Sequence, residues 1–574
     1  MGTSTDQRVD APARNRALTA TLMLAAALVT VVWLVVVLLW EPSVRALPFD
    51  DAFYYLEIGR HLADGAGSTF DGINDTNGYH PLWMAIVAGL FVVGLDGEEA
   101  TRAALAIQVV LGWGVCLVVL ASIAGRLLAR WPSGAGATAA ARPARWTLFG
   151  FVVVAGGSPY VVKSVVNGME SAVAVALQAL VLLVAVAWRG RWLDDGTAPA
   201  SRFGVGLLLA LVFLARTDAA LLIGCLGIWL VVEVLRADDR AVAVGRAVAL
   251  LAPATVVAGG YLLWNHATFG TWMQISGLIK RAELDPLRVV SFLVVVGLAA
   301  LVLRRAAAAT LPGAGRTRAS RRGGRFPTAA RFVDRTGFYA AFCIVIIGYY
   351  NLLQTQQWLW YYAPVVFYVL VLCTLGVADI VQAALRDAPA GMSAQRAMLP
   401  VQLIVAVPVV LGAAYGLASF GDPSMRSIIE ANETAGAWIA AELPDDAVVA
   451  SWDAGMLGYA SGGRVLNLDG VVNSYDFYEA NLAGYPAVAD FLACAGVTHV
   501  ANHGPDLDGG DPGTRAFIAR LWGDDVADAT TVVHREPFFY SGRTVGSSGE
   551  SAGGDLAVWV FELPGDPADR CPSA

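Results

Sequence analysis

Residues 17–55 read ALTATLMLAAALVTVVWLVVVLLWEPSVRALPFDDAFYY. Residues 17–40 carry no charge and exceed the roughly 20 residues that a helix needs to cross a bilayer. Arg8, Arg14 and Arg16 precede the run, and no cleavage-site pattern follows it. This predicts a retained anchor with its N-terminus on the cytoplasmic side. A few residues later, on the far side, the chain presents the acidic doublet Asp50-Asp51.

The rest of the chain extends this frame. Of 574 residues, 57% are hydrophobic and only 15% charged, against about 25% charged in a soluble domain. Long apolar runs recur, so most of the chain is expected to fold in lipid as helices that satisfy their own backbone hydrogen bonds. The net charge of −8 averages acidic residues in the first loop and the tail against basic residues elsewhere. No basic face interleaves with aromatics, so nucleic acid is not an expected partner. Cys116, Cys225, Cys343 and Cys373 lie in apolar runs as packing residues. Cys494 and Cys571 lie in the tail, where a disulfide is one option.

Arginine placement orients the other spans. The clusters are Arg126, Arg130, Arg142 and Arg145; Arg189 and Arg191; Arg236, Arg240 and Arg246; Arg304 to Arg335; and Arg386 and Arg396. All are predicted to be cytoplasmic. That assignment makes 81–95 (PLWMAIVAGLFVVGL) an interfacial helix within a first external loop, 41–102. Spans then follow at about 103–125, 146–163, 171–188, 203–216, 219–235, 247–264, 288–303, 337–353, 359–383 and 398–418, about eleven with the first. The expected domains are a cytoplasmic N-terminal segment at 1–16, a transmembrane catalytic domain at 17–419, and an extracytoplasmic soluble domain at 420–574. In that last domain, helical and strand patterns alternate. ETAGAWIAAEL and AVADFLACAG read as helices; AVVASW, RVLNLDGVV and VTHVANHG read as strands, making a small α/β fold.

The topology places six unusual polar segments on the outer face: FDDAFYY, NGYHPLW, NGMES, ARTDA, WNHATFGTWMQISGLIKR and QTQQWLWYYAP. Asp50 and Asp51 repel each other, and one of them could take a proton from a sugar hydroxyl or hold a divalent cation. Helix capping is the competing role. His80 could bind phosphate or a sugar hydroxyl, or be held by ordinary hydrogen bonds. Asn167 and Glu170 lie at an outer turn. Arg216 and Asp218 interrupt an apolar hairpin, where ionisable residues are costly and mark function, although the two could instead pair structurally. The chain has only two lysines, Lys163 and Lys280. Lys280-Arg281 follows an amphipathic stretch and suits a lipid-phosphate headgroup, with snorkelling as the alternative. Gln354, Gln356 and Gln357 could touch a sugar. Asp453, Asp469 and Asn473 follow or end tail strands, where turn roles account for them and acceptor binding is a second reading.

With these residues in place, the sequence resembles the polytopic GT-C glycosyltransferases over most of its length. FDDAFYYLEIGRHLADGAGSTFDGINDTNGYHPLW is similar to their first external loop. It is especially similar to the branch that includes the mycobacterial-type terminal arabinofuranosyltransferases, with a related DDAF opening, a Gly-rich stretch and a later aromatic-Pro-Leu-Trp element. NGMES resembles the Gly-x-Glu-Ser/Thr element. The resemblance implies a GT-C-like α-helical polytopic membrane protein with an external α/β tail, a polyprenyl-phosphate sugar donor, and an inverting transfer outside the cell membrane. The acceptor would be a cell-envelope glycan, lipid or protein. Asp51 matches the family's loop-one acid, with Asp50 as its neighbour. Lys280 and Arg281, with His80 and Arg216, would hold the donor phosphate; Glu170, Asn167, Asp218 and Gln357 would contact substrate. The competing readings are a transporter or flippase of a lipid-linked glycan, and a non-catalytic scaffold. The absence of an internal repeat and the one-sided polar residues weigh against transport.

Overall fold

In the computed structural model of the chain, the described residues are 16–128, 138–294, 326–355, 357–387, 392–420, 423–540, 544–546, 549–551 and 554–572. Arg8, Arg14, Arg130, Arg304 to Arg325, residues 295–303 of one expected span, and Gln356 lie outside them.

Five helices among the described residues are long and apolar enough to cross a membrane: Arg16–Leu39, Gly97–Leu127, Thr217–Arg236, Arg240–Phe269 and Leu359–Arg386. Pro327–Arg335 and Gly337–Leu353, bent by 78° at their junction, meet the same test as a pair. Ser171–Ala187 and Pro199–Ala215 are apolar but shorter. The protein is a multi-pass membrane protein. The first helix shows the logic. Leu18, Leu22, Ala25, Val29, Trp33 and Val37 recur at helical spacing and are buried, whereas Leu24, Leu28, Val31, Val35 and Leu38 are exposed. One stripe packs on protein, and the other is stable only against lipid.

Several boundaries differ from the sequence reading, and two of them have a visible cause. The helix expected from 103 begins at Gly97, because the Asp96 carboxylate accepts the Gly97 N–H at 2.7 Å and caps it. The segment expected to cross at 146–163 is a helix, Thr138–Gly156, followed by a separate turn, Pro159–Lys163. Pro159 cannot continue the ladder. The carbonyls freed at the break accept indole N–H bonds, Gly156 from Trp113 at 2.7 Å and Gly157 from Trp33 at 3.1 Å. Helix Pro81–Val92 has 12 residues, which at 1.5 Å per residue is about 18 Å, too short for the hydrocarbon core.

The tail is an α/β unit with strands β1 (Val448–Ser451), β2 (Val465–Asn467), β3 (Val497–Pro505), β4 (Thr531–Tyr540), β5 (Thr544–Gly546), β6 (Gly549–Ser551) and β7 (Gly554–Glu562). The main sheet runs β2-β1-β3-β7-β4, and β5-β6 is a small hairpin. β1 pairs parallel to β2 and β3; β7 runs antiparallel to β3 and β4. Ala450, Leu466, Val500 and Phe561 fill its core. Cys494 and Cys571 form a disulfide that ties helix Tyr485–Cys494 to the C-terminal segment. The tail docks on the first loop: the Arg45 Nε donates to Glu433 at 2.7 Å, and the Tyr459 hydroxyl donates to the Gly97 carbonyl at 3.1 Å.

Candidate functional site

The Asp50–Asp64 helix carries one wall of the site. Asp51, Tyr54, Tyr55 and Ile58 recur at i, i+3, i+4 and i+7, so one face of the helix presents them together. They line a cavity of about 310 Å³. The other walls come from all five remaining polar segments: Tyr79 and His80; Glu170; Arg216 and Asp218; Gln274 and Lys280; Gln354 and Tyr361. Val471 and Val472 of the tail close one side.

Asp50 and Asp51 are adjacent in sequence but do different things. Both oxygens of Asp50 are committed, accepting the N–H groups of Gly455 at 2.7 Å and Met456 at 2.9 Å. Asp50 does not line the cavity. Burial and the Asp453 charge raise its pKa well above the usual carboxylate range, with the two N–H bonds opposing. The Asp51 oxygens accept no hydrogen bond among the described residues, and Oδ2 lies 3.7 Å from the Lys280 Nζ. Burial raises the Asp51 pKa and Lys280 pulls against the shift. Burial opposes the Lys280 ammonium, but Asp51 and the Tyr361 hydroxyl 3.4 Å away more than offset it and hold its pKa above the ordinary value.

A second cluster forms deeper. Arg216 donates to Glu170 at 2.5 Å, to Asp218 at 2.9 Å and to the Tyr350 hydroxyl at 2.7 Å; Tyr350 also bonds to Asp218. The Tyr55 hydroxyl donates to Glu170 at 2.9 Å and accepts the His80 N–H at 3.0 Å. The guanidinium therefore compensates two carboxylates and has little left for a ligand. The Thr217 backbone N–H points at the His80 Nδ1 at 3.3 Å, so that nitrogen is the acceptor and the proton sits on Nε2, 3.7 Å from Glu170. Burial lowers the His80 pKa, opposed by the Glu170 charge, and His80 serves as a neutral donor.

Asn167, Arg281 and Gln357 are not brought to the cavity. Asn167 is buried and its Oδ1 accepts the Met169 N–H at 3.1 Å. Arg281 lines a separate groove with Tyr478 and Asn481 of the tail. Gln357 is exposed and accepts the Tyr362 hydroxyl at 3.2 Å. Lys163 sits over the Phe49 ring at 5.1 Å. No group of three His, Cys, Asp or Glu side chains converges to hold a metal ion among the described residues, and the Asp50 oxygens are already bonded to backbone N–H groups. Tyr54, Tyr55, Gln274 and Tyr350 were not singled out from sequence. Helical periodicity from Asp51 would have found the first two.

The NGMES turn is built around Gly168. Its φ is +85°, and a Cβ there would lie 2.4 Å from the Ala52 Cβ. The buried Gln108 Oε1 accepts the Asn167 and Gly168 N–H groups at 3.0 Å each, and the Trp83 indole donates to the Gly168 carbonyl at 3.0 Å. This fixes Glu170 against the Asp51 helix. Gly168→Ala combines left-handed strain with a clash against that helix and is expected to cost about 2–4 kcal/mol. Thermal unfolding of the detergent-solubilised protein measures it; an unchanged melting temperature would contradict the packing described.

Comparison with solved structures gives the fold. ArnT from Cupriavidus metallidurans in the apo state aligns at a TM-score of 0.50 with 15% identity, covering 97% of this chain and 100% of that one. The chain has the GT-C fold of these membrane proteins. ArnT bound to undecaprenyl phosphate aligns at 0.48 with 14% identity, covering 94% and 98%. The Archaeoglobus fulgidus oligosaccharyltransferase in the apo form aligns at 0.46 with 13% identity, covering 94% of this chain and 74% of that one. Residues 425–520 match a domain of unknown function, DUF8728. No curated protein matches by sequence.

Proposed function

We propose that the chain is an integral-membrane glycosyltransferase that moves a sugar from a polyprenyl-phosphate donor to a cell-envelope acceptor on the extracytoplasmic side. The observation that carries this reading is the pairing of Asp51 and Lys280 across one cavity: a carboxylate with unbonded oxygens 3.7 Å from a buried ammonium. Asp51 takes the proton of an acceptor hydroxyl as that oxygen bonds to the anomeric carbon. The bond from that carbon to the phosphate oxygen breaks, and polyprenyl phosphate leaves with the electron pair. Lys280 stabilises the charge that develops there. Inversion at the anomeric centre requires the base and the leaving group on opposite sides of the sugar, so the 3.7 Å contact of Asp51 with Lys280 opens as the donor enters and the ammonium turns to the phosphate. The His80 Nε2–H is a further donor to the phosphate, and Arg216 organises the wall rather than binding the headgroup.

Three further features support the reading. The fold is shared with ArnT, a protein crystallised with undecaprenyl phosphate. The tail disulfide suits an oxidising compartment, in keeping with a cytoplasmic N-terminus and an external tail at 420–574. The DDAF and NGMES wording favours the arabinofuranosyltransferase-like branch, and glycan analysis of a deletion strain would identify the sugar that is lost.

Lys280→Gln tests the phosphate assignment. The half-saturating donor concentration is expected to rise about 10- to 100-fold, the worth of a hydrogen-bonded charge, with partial recovery in Lys280→Arg. Titration with a panel of labelled polyprenyl-phosphate sugars in nanodiscs measures it. An unchanged donor dependence would remove Lys280 from the phosphate site.

A further inference from the structure

We propose that the tail completes the transfer site, with Asp469 holding the acceptor hydroxyl beside Asp51. This deepens the glycosyltransferase reading and rests on it. The acceptor class that fits is one presenting neighbouring hydroxyls, a sugar or polyol terminus.

The sheet supplies the first argument. β2, β1 and β3 run parallel, and in open α/β sheets ligands gather at the loops beyond the carboxyl ends of such strands. Asp453 follows β1 and Asp469 follows β2. Those loops meet the Asp50–Asp64 helix directly. The Tyr54 hydroxyl donates to the Asp469 Oδ2 at 3.3 Å, one helical turn from Asp51, and Asp50 holds Gly455 and Met456 of the same tail edge.

The second argument is the inventory of bonds. Oδ2 of Asp469 accepts from Tyr54, from the Asp453 N–H at 3.3 Å, and from the Asn467 Nδ2 at 3.5 Å. Oδ1 accepts no bond among the described residues. The Asn467 Nδ2 also donates to the Tyr54 hydroxyl at 3.0 Å. One oxygen is thus fixed by three donors, and the other is left for a ligand.

The third argument is placement. Gly470 has φ +75° and its Cβ position lies 3.1 Å from the Ile279 Cδ1, so the chain after Asp469 passes against the residue preceding Lys280. Val471 and Val472 then line the cavity. Val471 and Val472 thus face the cavity that Asp51 and Lys280 share, and Asp469, itself outside the lining, reaches it through the hydroxyl of the lining residue Tyr54. Asp453 is held at φ +42°, a left-handed conformation that costs energy for a residue other than glycine and clusters at functional sites. Burial, with the charges of Asp453 and Asp51, raises the Asp469 pKa to about 7, so near neutrality the group can both accept from and donate to a hydroxyl.

The test uses the full-length protein in nanodiscs, a labelled polyprenyl-phosphate sugar, and membranes of a strain lacking the gene as acceptor source. Asp469→Asn is expected to raise the half-saturating amount of acceptor membrane about tenfold or more. The donor half-saturation and the melting temperature should stay at wild-type values. Tyr54→Phe, which removes one bond to Asp469, should shift the acceptor dependence the same way by less. Unchanged acceptor dependence in both variants overturns the inference, as does a shift in acceptor and donor dependence together with a lowered melting temperature. Asp51→Asn is assayed in parallel. Wild-type transfer by Asp51→Asn, or no transfer from any donor by the wild-type protein, overturns the underlying reading. Loss of transfer in Asp51→Asn with unchanged acceptor dependence in Asp469→Asn overturns the inference alone.

Discussion

Asp51→Asn is expected to lower sugar transfer by about three orders of magnitude, within the range that a positioned general base contributes. The substitution keeps the shape of the side chain and removes its basicity. Donor affinity should not fall. Removing the carboxylate 3.7 Å from Lys280 frees the ammonium for phosphate, so the donor should bind as tightly as before or more tightly. The pH profile provides a second reading. A base must be deprotonated to act, and burial raises the Asp51 pKa. Activity should therefore rise with pH through a limb lying above the usual carboxylate range. Asp50→Asn serves as the contrast. An amide can accept only one of the N–H bonds from Gly455 and Met456 and turns a donor towards the other, so the tail should dock less firmly. That variant should lose stability, with only a modest fall in transfer. Transfer by Asp51→Asn at the wild-type rate would remove it as the base. A pH limb at ordinary carboxylate values would show that the buried environment does not reach the reacting group.

The sequence allowed the fold to be read where a single physical rule dominates. Apolar runs in lipid have one solution, and the tail stretches AVVASW, RVLNLDGVV and VTHVANHG contain β1, β2 and all but the last residue of β3. The six polar segments that line the cavity were visible because ionisable residues stand out against an apolar background. What could not be read was which atoms in those segments were already engaged. Asp50 and Asp51 have the same side chain and the same neighbours in sequence. Only the approach of Gly455, some 400 residues later, commits one and leaves the other open. The pairing of Arg216 with Asp218 is one of the two readings the sequence leaves open, whereas its second carboxylate partner, Glu170, comes from another segment and is not legible there. Arg281 sits beside Lys280 in the chain, yet the short helix Ile275–Ile279 and the turn after it send the two side chains into different grooves. Adjacency in sequence carries no information about direction once a turn intervenes.

Arg216→Met should destabilise the protein more than any other single change to the cavity wall, by about 3–5 kcal/mol, the cost of leaving buried charges without their partner. Arg216 is only 5% exposed, and it joins Glu170, Asp218 and Tyr350 through separate N–H groups. Removing it strands two carboxylates in one apolar setting. Arg216→Lys should rescue little, because an ammonium cannot reproduce bonds in the fixed geometry of a guanidinium. The triple change Arg216→Met, Glu170→Gln, Asp218→Asn separates charge from packing. It removes the unpaired carboxylates, so thermal unfolding should return to within about 1–2 kcal/mol of wild type, while transfer stays low because the Tyr55 and His80 contacts of Glu170 lose their charge. Wild-type stability in Arg216→Met would show that water or lipid phosphate compensates the pair. Recovery of transfer in the triple variant would show that the cluster is scaffolding, leaving Asp51 and Lys280 to act without it.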